Sequence, residues 1–589
     1  MLLQLSDLPQ GDATFDVVVV GAGAAGMSAA LCAALDGARV LLVERTAQVG
    51  GTSALSGGTT WVPGTHHSAA VNPGDTLQDA EAYLDAAVDT RAPRALRQAL
   101  LRTGPEAVAH VERHSHVQFR PYPTHPDYIS ELPGSTLRGR ALEPLPFDGR
   151  LLGQHFGLLR PPIPEFTVLG GMMVDRNDIP HLLAMKKSFK SLRYSLRILA
   201  RHAMDRLKHP RGTRLLMGNA LCARLLYSLL QQPTVKLAMH AEVAAFERGP
   251  GGVTALTVAQ GNVRRSVRVS GGVVLASGGF NRHPQLRAQL LGTDDAWCPG
   301  ADGHTGQAHG LVRELGARYG EGALSPAFWA PVSLRRRADG TQAVFPHFLM
   351  DRAKPGMITV DARGQRFLNE STSYHLFGIG MQAAGAVPAY LVADARALKK
   401  YGMGMVRPGG QGLEPYLADG YLVQGATLEE LAAKLGIDAA GLQDSVARIN
   451  RYAETGVDAD FNRGSTDYSR NMGDATLGLR NPNVGPLREA PFYAVKLYPG
   501  DIGAATGWAT DAAARVLDAR QQPIEGLYAV GNDMHSAFGG VYAAPGITLG
   551  PGLVFGYLAG RHAARRARGN AEAPEAAQAP SSPALAAAA

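Results

Sequence analysis

Cysteine is scarce in this 589-residue chain: there are three, Cys32, Cys222 and Cys298. No two stand in C-x-x-C or metal-ligand spacing, so neither a disulfide framework nor a cysteine metal site is expected, and a reducing compartment is. The 18 histidines contain no H-E-x-x-H arrangement, and no metal centre is expected. No uninterrupted apolar run reaches the length of a membrane span. The first fourteen residues carry acids and no apolar stretch of the signal-peptide kind, so a cytoplasmic protein is expected. The net charge of +7 is small for this length, and its distribution matters more than its sum. What remains is an ordinary globular composition, 45% hydrophobic, in a chain too long for one core.

Glycine, by contrast, is abundant: 70 residues, gathered in loops rather than at a fixed period. The most informative cluster follows Val17-Val18-Val19-Val20, a continuous apolar run of the kind expected of a parallel strand buried on both faces. Gly21, Gly23 and Gly26 then give G-x-G-x-x-G, with Ala24 and Ala25 between them. A small-residue helix follows over Met27 to Leu35, and a second strand, Arg39 to Val43, ends on Glu44 and Arg45. Strand, glycine turn, helix, strand and terminal acid form a dinucleotide-binding fingerprint. Its glycines admit a pyrophosphate to the backbone, and the helix N-terminus offers unpaired N–H groups. Glu44 can accept hydrogen bonds from a ribose. A second small-residue loop, Gly50-Gly51-Thr52-Ser53 and Ser56-Gly57-Gly58, suits the length of FAD better than NAD.

The fold class expected is α/β (α+β overall). A Rossmann-type domain occupies discontinuous segments, about 15–292 and 491–566, with an α+β substrate domain inserted at 293–490. Residues 1–14 form an extension, and 567–589, poor in hydrophobics, a disordered tail. Val267 to Gly279 ends in VVLASGGF, a strand that can press Ala276, Gly278 and Gly279 on the cofactor. Val243, on a strand before it, is a further contact residue. Leu527 to Val530 leads into Gly531-Asn532-Asp533, and Gly539 to Ala564 is a glycine-rich loop feeding a last helix. Within an insertion at about 180–214, Leu182 to Leu207 has helical spacing, with Leu182, Phe189, Leu192, Leu196, Leu199, Ala203 and Leu207 on one face. Lys186, Lys190, Arg193, Arg197 and Arg201 lie on the adjoining face. From Met185 to Arg214 there are ten Lys/Arg and one acid, Asp205. Two readings stand: a membrane-surface contact through Met185 to Leu207, or a helix packed on its own protein with a solvated basic side. Nucleic acid is not an expected partner, for no nucleic-acid fold surrounds the cluster.

Taken together, the fingerprint with GGTSALSGG, PDYISELPG, EPLPFDGR, VVLASGGF, GQRFLNESTSY and GGVYAAPGITLGPGLVFGYLAGRHAA resemble the fumarate reductase/succinate dehydrogenase flavoproteins, more narrowly the 3-ketosteroid Δ1-dehydrogenases. The resemblance runs from about Phe15 to Ala564. It implies non-covalent FAD, a 3-ketosteroid substrate and a separate electron acceptor, a quinone or artificial dye. It implies that Tyr374 in NESTSY abstracts a proton from C2 and that Tyr128 in PDYISELPG assists it. Tyr542 and Gly546 in YAAPG hold the 3-keto oxygen, and hydride passes from C1 to flavin N5. Thr548 and Leu549, opening the last helix, fall beside the flavin. A tyrosine ordinarily loses its proton near pH 10, so the base must be activated as tyrosinate. The carbonyl loop departs from the family's commoner YPGAG-like form, which bears on substrate preference. Rival expectations are a fumarate-reductase-like enzyme with a proton-donating arginine (Arg352, Arg363 or Arg366), a Δ4-dehydrogenase, and a non-catalytic, membrane-associated lipid-binding flavoprotein.

Overall fold

A computed structural model describes residues 1–348 and 351–570; the tail expected over 567–589 lies, from 571 on, outside the described residues. The valine run lies in the strand Ala13–Val20, and Val17 to Val20 are all buried. This strand pairs in parallel with Val40–Val43 on one side and Val263–Leu275 on the other. Val235–Ala238 extends the sheet beyond Val40–Val43, and Pro523–Ala529 joins the end of Val263–Leu275, both again parallel. The first half of the long Val263–Leu275 strand pairs instead with an antiparallel hairpin, Ala241–Gly249 and Gly252–Gln260. One strand is thereby shared between a Rossmann-type parallel sheet and an antiparallel flap.

The helix Ala24–Leu35 is built of small residues because it lies against the helix Leu549–Ala567 at backbone distance. A Cβ on Gly556 would stand 2.9 Å from Ala25 O, and one on Gly560 2.3 Å from Ala29 O. Side chains larger than hydrogen would force these two helices apart.

A second sheet, in the order Gln342–Pro346, Ala327–Arg336, Phe492–Ala504, Ala389–Ala393, Met357–Val360, is antiparallel throughout. Phe492–Ala504 is its central strand, so the return to the first sheet expected at 491 begins instead at Arg515–Leu517. Met357–Val360 takes Ala389–Ala393 as its partner and makes a single bridge within its own segment, Val360 with Arg366.

The basic amphipathic segment forms the helix Phe189–Arg206, and its polar side faces the protein. Ser191, Ser195, His202 and Asp205 are buried. Asp205 accepts from Thr213 N and Oγ1, Ser195 donates to His181 O, and His202 contacts Leu169 O. The apolar side is the one left outside: Phe189 is 82% exposed, Leu196 54%, Met204 63% and Leu207 83%. No helix among the described residues is long and apolar enough to cross a membrane.

Candidate functional site

A cavity of about 480 Å³ runs between the two sheets. One end is lined by Glu44, Arg45, Thr46 and Val243; the middle by Gly21, Gly23, Ala24, Ala25, Gly51, Thr52, Ser53, Ser56, Gly57, Gly58, Ala276, Gly278, Gly531 and Asn532. The far end is lined by Thr548, Leu549, Gly546 and the tyrosines 128, 374 and 542. The shape of the wall depends on its glycines. Gly21 has φ +106°, and a Cβ there would lie 2.3 Å from Ala276 O; one on Gly278 would strike the His304 ring. The helix Ala24–Leu35 points its N-terminus into the middle of the cavity, as a pyrophosphate requires. Glu44 is fixed by Ala22 N on one oxygen and by Thr46 N and Oγ1 on the other, and keeps lone pairs for a ribose. These residues fit FAD from adenosine to ring.

Four expected contact residues stand behind the wall instead of in it. Gly26 packs its helix on Gly21, where a Cβ would lie 1.9 Å from Gly21 O. Gly50 turns the loop at φ +109° and donates to Ala22 O. Gly279 packs on Ala504 and donates to Asp533. Asp533 is 1% exposed and accepts from Ser277 N and Oγ, Gly279 N and His309. It shapes the Ser277–Gly279 turn, and the turn in its place meets the cavity. The wall also contains residues that sequence reasoning did not single out: Arg160, His304, Thr305, Ile163, Pro346 and Phe348. A signal existed for His304 in the motif ADGHTGQAHG, for few other segments combine glycine and histidine so densely.

The far end is a cluster of aromatic rings. Tyr128 Oη donates to Tyr374 Oη at 3.3 Å, and the two rings meet edge to face at 5.6 Å. Tyr542 lies 5.0 Å from Tyr374 and is stacked on Tyr128 at 5.8 Å. Tyr468, not foreseen, is 5.0 Å from Tyr128, and Phe348 is 5.0 Å from Tyr374. Each tyrosine is held by backbone. Tyr128 N and Tyr83 Oη both donate to Ala543 O, stitching the PDYISELPG loop to the YAAPG loop. His375 contacts Trp329 N and Gly540 O, fixing the other side of the same loop. Tyr374 opens the helix Tyr374–Ala383, capped by Ser373. The turn before it is anchored by Glu370, whose buried carboxylate is gripped by Arg366 and faces Arg463. Gly546 has φ +89°, and among the described residues its N–H finds no protein acceptor.

Burial, then Tyr128 and Tyr542, pushes the Tyr374 phenol well above the usual tyrosine range. Tyr128 is raised in the same way, by burial first and then by Tyr468 and Tyr542. The protein alone therefore opposes the tyrosinate that the resemblance requires. Among the described residues none of the three arginines named for the fumarate-type rival lines the cavity: Arg366 serves Glu370 and Asp458, Arg352 serves backbone carbonyls, and Arg363 is exposed beside Asp361.

The fold and the cavity define a flavoprotein oxidoreductase. A family model described as an FAD binding domain matches residues 16–549. The chain is 39% identical to 4-oxocyclohex-2-ene-1-carboxylate 5-dehydrogenase of Sinomonas cyclohexanicum, over 94% of each chain. It is 34% identical to 3-oxosteroid 1-dehydrogenase of Mycolicibacterium smegmatis, over 92% of this chain and 96% of that one. The crystal structure of 3-ketosteroid Δ1-dehydrogenase from Sterolibacterium denitrificans, in complex with 1,4-androstadiene-3,17-dione, superposes with a TM-score of 0.86 at 34% identity, covering 94% of this chain and 99% of that one. The chain belongs to the FAD-binding flavoprotein family and, within it, to the 3-ketosteroid Δ1-dehydrogenase group with its oxocyclohexane-carboxylate relatives. It is an FAD-dependent dehydrogenase.

Proposed function

We propose that this dehydrogenase introduces a C1–C2 double bond into the A-ring of a neutral 3-ketosteroid. The observation carrying this reading is the convergence of Tyr128, Tyr374 and Tyr542 with Gly546 at one end of a cofactor-length cavity. Tyr542 Oη and Gly546 N–H are the two donors for the keto oxygen. As they stabilise charge on that oxygen, the C2 proton becomes acidic. Tyr374 Oη takes the proton, and the hydrogen bond to Tyr128 Oη gives it a path onward. FAD, when bound, supplies the acceptor for the hydride that leaves C1. Substrate loses one proton and one hydride, and the ring gains its double bond.

Two substrate classes are named among the relatives, and the charge of the cavity separates them. Its two lining arginines, Arg45 and Arg160, belong to the cofactor end, bonded to Thr305 and Thr46. Around the tyrosines the described lining is Tyr122, His125, Ile163, Pro346 and Phe348. His125 is kept neutral there, its pKa pushed down to about 4 by burial and then by Arg176. A substrate carboxylate would meet no charged side chain in that lining, and a buried charge without a direct partner is strongly disfavoured. With a dye acceptor, a 4-ene-3-ketosteroid is expected to exceed 4-oxocyclohexanecarboxylate in kcat/KM by at least about tenfold, about 1.4 kcal/mol. Product mass and NMR would place the new bond. A preference for the carboxylate would overturn the substrate, and a Δ4 product the regiochemistry.

We infer also that the helix Phe189–Arg206 rests on an anionic lipid surface, where a sterol-derived substrate partitions. Its exposed Phe189, Leu196, Met204 and Leu207 are bordered by exposed Lys186, Lys187, Lys190, Arg193, Arg197, Arg206 and Lys208, with the segment's acid, Asp205, turned inward. Each such cation near an anionic bilayer contributes about 1 kcal/mol. The protein is expected to co-sediment with vesicles containing phosphatidylglycerol more than with pure phosphatidylcholine. Replacing Phe189, Leu196 and Leu207 by Ser is expected to release it without altering turnover of a soluble ketosteroid. An unchanged bound fraction would sink the idea.

A further inference from the structure

Arg352 is 0% exposed, and its guanidinium finds only backbone oxygens. It donates to Phe348 O at 2.8 Å, Glu370 O at 2.5 Å and Thr372 O at 2.7 Å, with His347 O further off at 3.3 Å. Among the described residues no carboxylate pairs with it, whereas buried Arg140, Arg287, Arg366 and Arg463 each face one. The acids nearest in sequence and space are committed elsewhere. Asp351 accepts from His347, Gly404 N and the backbone N of Arg352 itself. The Glu370 carboxylate belongs to Arg366 and Arg463. A full positive charge is thus buried with no carboxylate bonded to its guanidinium, Asp351 acting on it only from beyond hydrogen-bond reach, and such burial is ordinarily strongly destabilising. Its position is specific. The carbonyls it holds flank Tyr374 on both sides: Thr372 lies two residues before it, and the Phe348 ring is 5.0 Å from the Tyr374 ring. The guanidinium also covers Phe377, one turn along the Tyr374 helix, at 4.9 Å.

We propose that Arg352 is a positioning residue for the base: a permanent buried cation whose missing counter-charge is the phenolate formed at Tyr374 and shared with Tyr128. The assignment rests on the reading of Tyr374 as the base. Arginine suits the task because it keeps its proton where a buried lysine readily loses one. The field of Arg352 reaches Tyr468, Tyr128 and Tyr374, and it opposes the effect of burial on Tyr128 and Tyr468. Among the described residues, the remaining groups around Tyr374 supply no second free cation. Tyr542 and Tyr468 are phenols, and His375 is kept neutral by burial, pushed down to about 4. His347 is paired with Asp351, and Arg366 and Arg463 with Glu370.

The test is the pH dependence of kcat in FAD-loaded protein. Rate rises with pH as the base loses its proton, so removing the cation moves the rising limb to higher pH. Arg352→Met is expected to move it up by about one unit or more, the scale of a nearby opposite charge, with about a tenfold or greater loss of rate below the limb. Arg352→Lys keeps a charge but not the three-carbonyl grip. It is expected to retain the wild-type rising limb and to gain a falling limb where the buried lysine deprotonates. A purely structural role predicts that both variants lose rate equally at every pH, with no limb displaced; that result would overturn the proposal. If Arg352→Met fails to retain FAD, presence or absence of the falling limb in Arg352→Lys decides. Tyr374→Phe is run alongside. Should it keep full turnover, the base reading itself fails; should it be inactive while neither Arg352 variant shifts a limb, only the role of Arg352 fails.

Discussion

Tyr374→Phe is expected to bind FAD as wild type does and to lose about 10²–10⁴-fold in turnover, the range of a positioned general base. Phenylalanine preserves the ring, and with it the edge contacts to Tyr128, Phe348 and Tyr542. Only Oη disappears, and with it the 3.3 Å hydrogen bond from Tyr128. Folding stability should therefore change by no more than about 1 kcal/mol. The informative measurement is anaerobic bleaching of the flavin by a 3-ketosteroid. Loss of bleaching with an intact flavin spectrum locates the defect in proton removal, whereas wild-type bleaching would refute the assignment.

Tyr542→Phe should be the next most damaging substitution, lowering kcat by about 10²–10³, the value of one oxyanion-stabilising donor. Gly546 would still supply the other donor, so activity should not vanish. Gly546 itself makes a poor probe. At φ +89° any side chain is strained, and a Cβ would lie 2.5 Å from Thr59 O, so its replacement confounds carbonyl binding with collapse of the loop. Tyr542 is buried against Phe328, Tyr374 and Tyr128, and a phenyl ring fills the same space. A Tyr542→Phe enzyme that kept its kcat and raised only KM would show that this hydroxyl binds ground and transition states alike.

The parts of the site written in local sequence were legible. A strand, a glycine turn and a helix fix Gly21, Gly23, Ala24, Ala25 and Glu44 relative to one another within some two dozen positions, whatever the rest of the chain does. Tyr542 and Gly546 were readable for the same reason, four residues apart on one loop. Tyr468, Phe348 and Arg160 were not, since each joins the site, Phe348 and Arg160 in the wall and Tyr468 behind Tyr128, from an element whose placement depends on packing far along the chain. The helix Phe189–Arg206 shows the limit most plainly. Periodicity established that it has an apolar and a polar face, but which face turns inward is decided by partners at His181, Leu169 and Thr213. Asp533 shows the converse: a polar residue in a glycine motif that looks like a ligand contact and serves as a strut for Ser277 and Gly279.

The helix pair Ala24–Leu35 and Leu549–Ala567 has a bearing on biosynthesis. The nucleotide handle emerges from the ribosome early, yet the helix that packs on it through Gly552, Gly556 and Gly560 is translated only after most of the chain. Until then the small-residue face of Ala24–Leu35 stays without its partner, and the cofactor cavity lacks the wall formed by Thr548 and Leu549. Stable loading of FAD is therefore expected to wait until that helix has been made. A chain ending between Glu44 and Leu549 would carry the complete dinucleotide motif and is expected to form no stable holoenzyme.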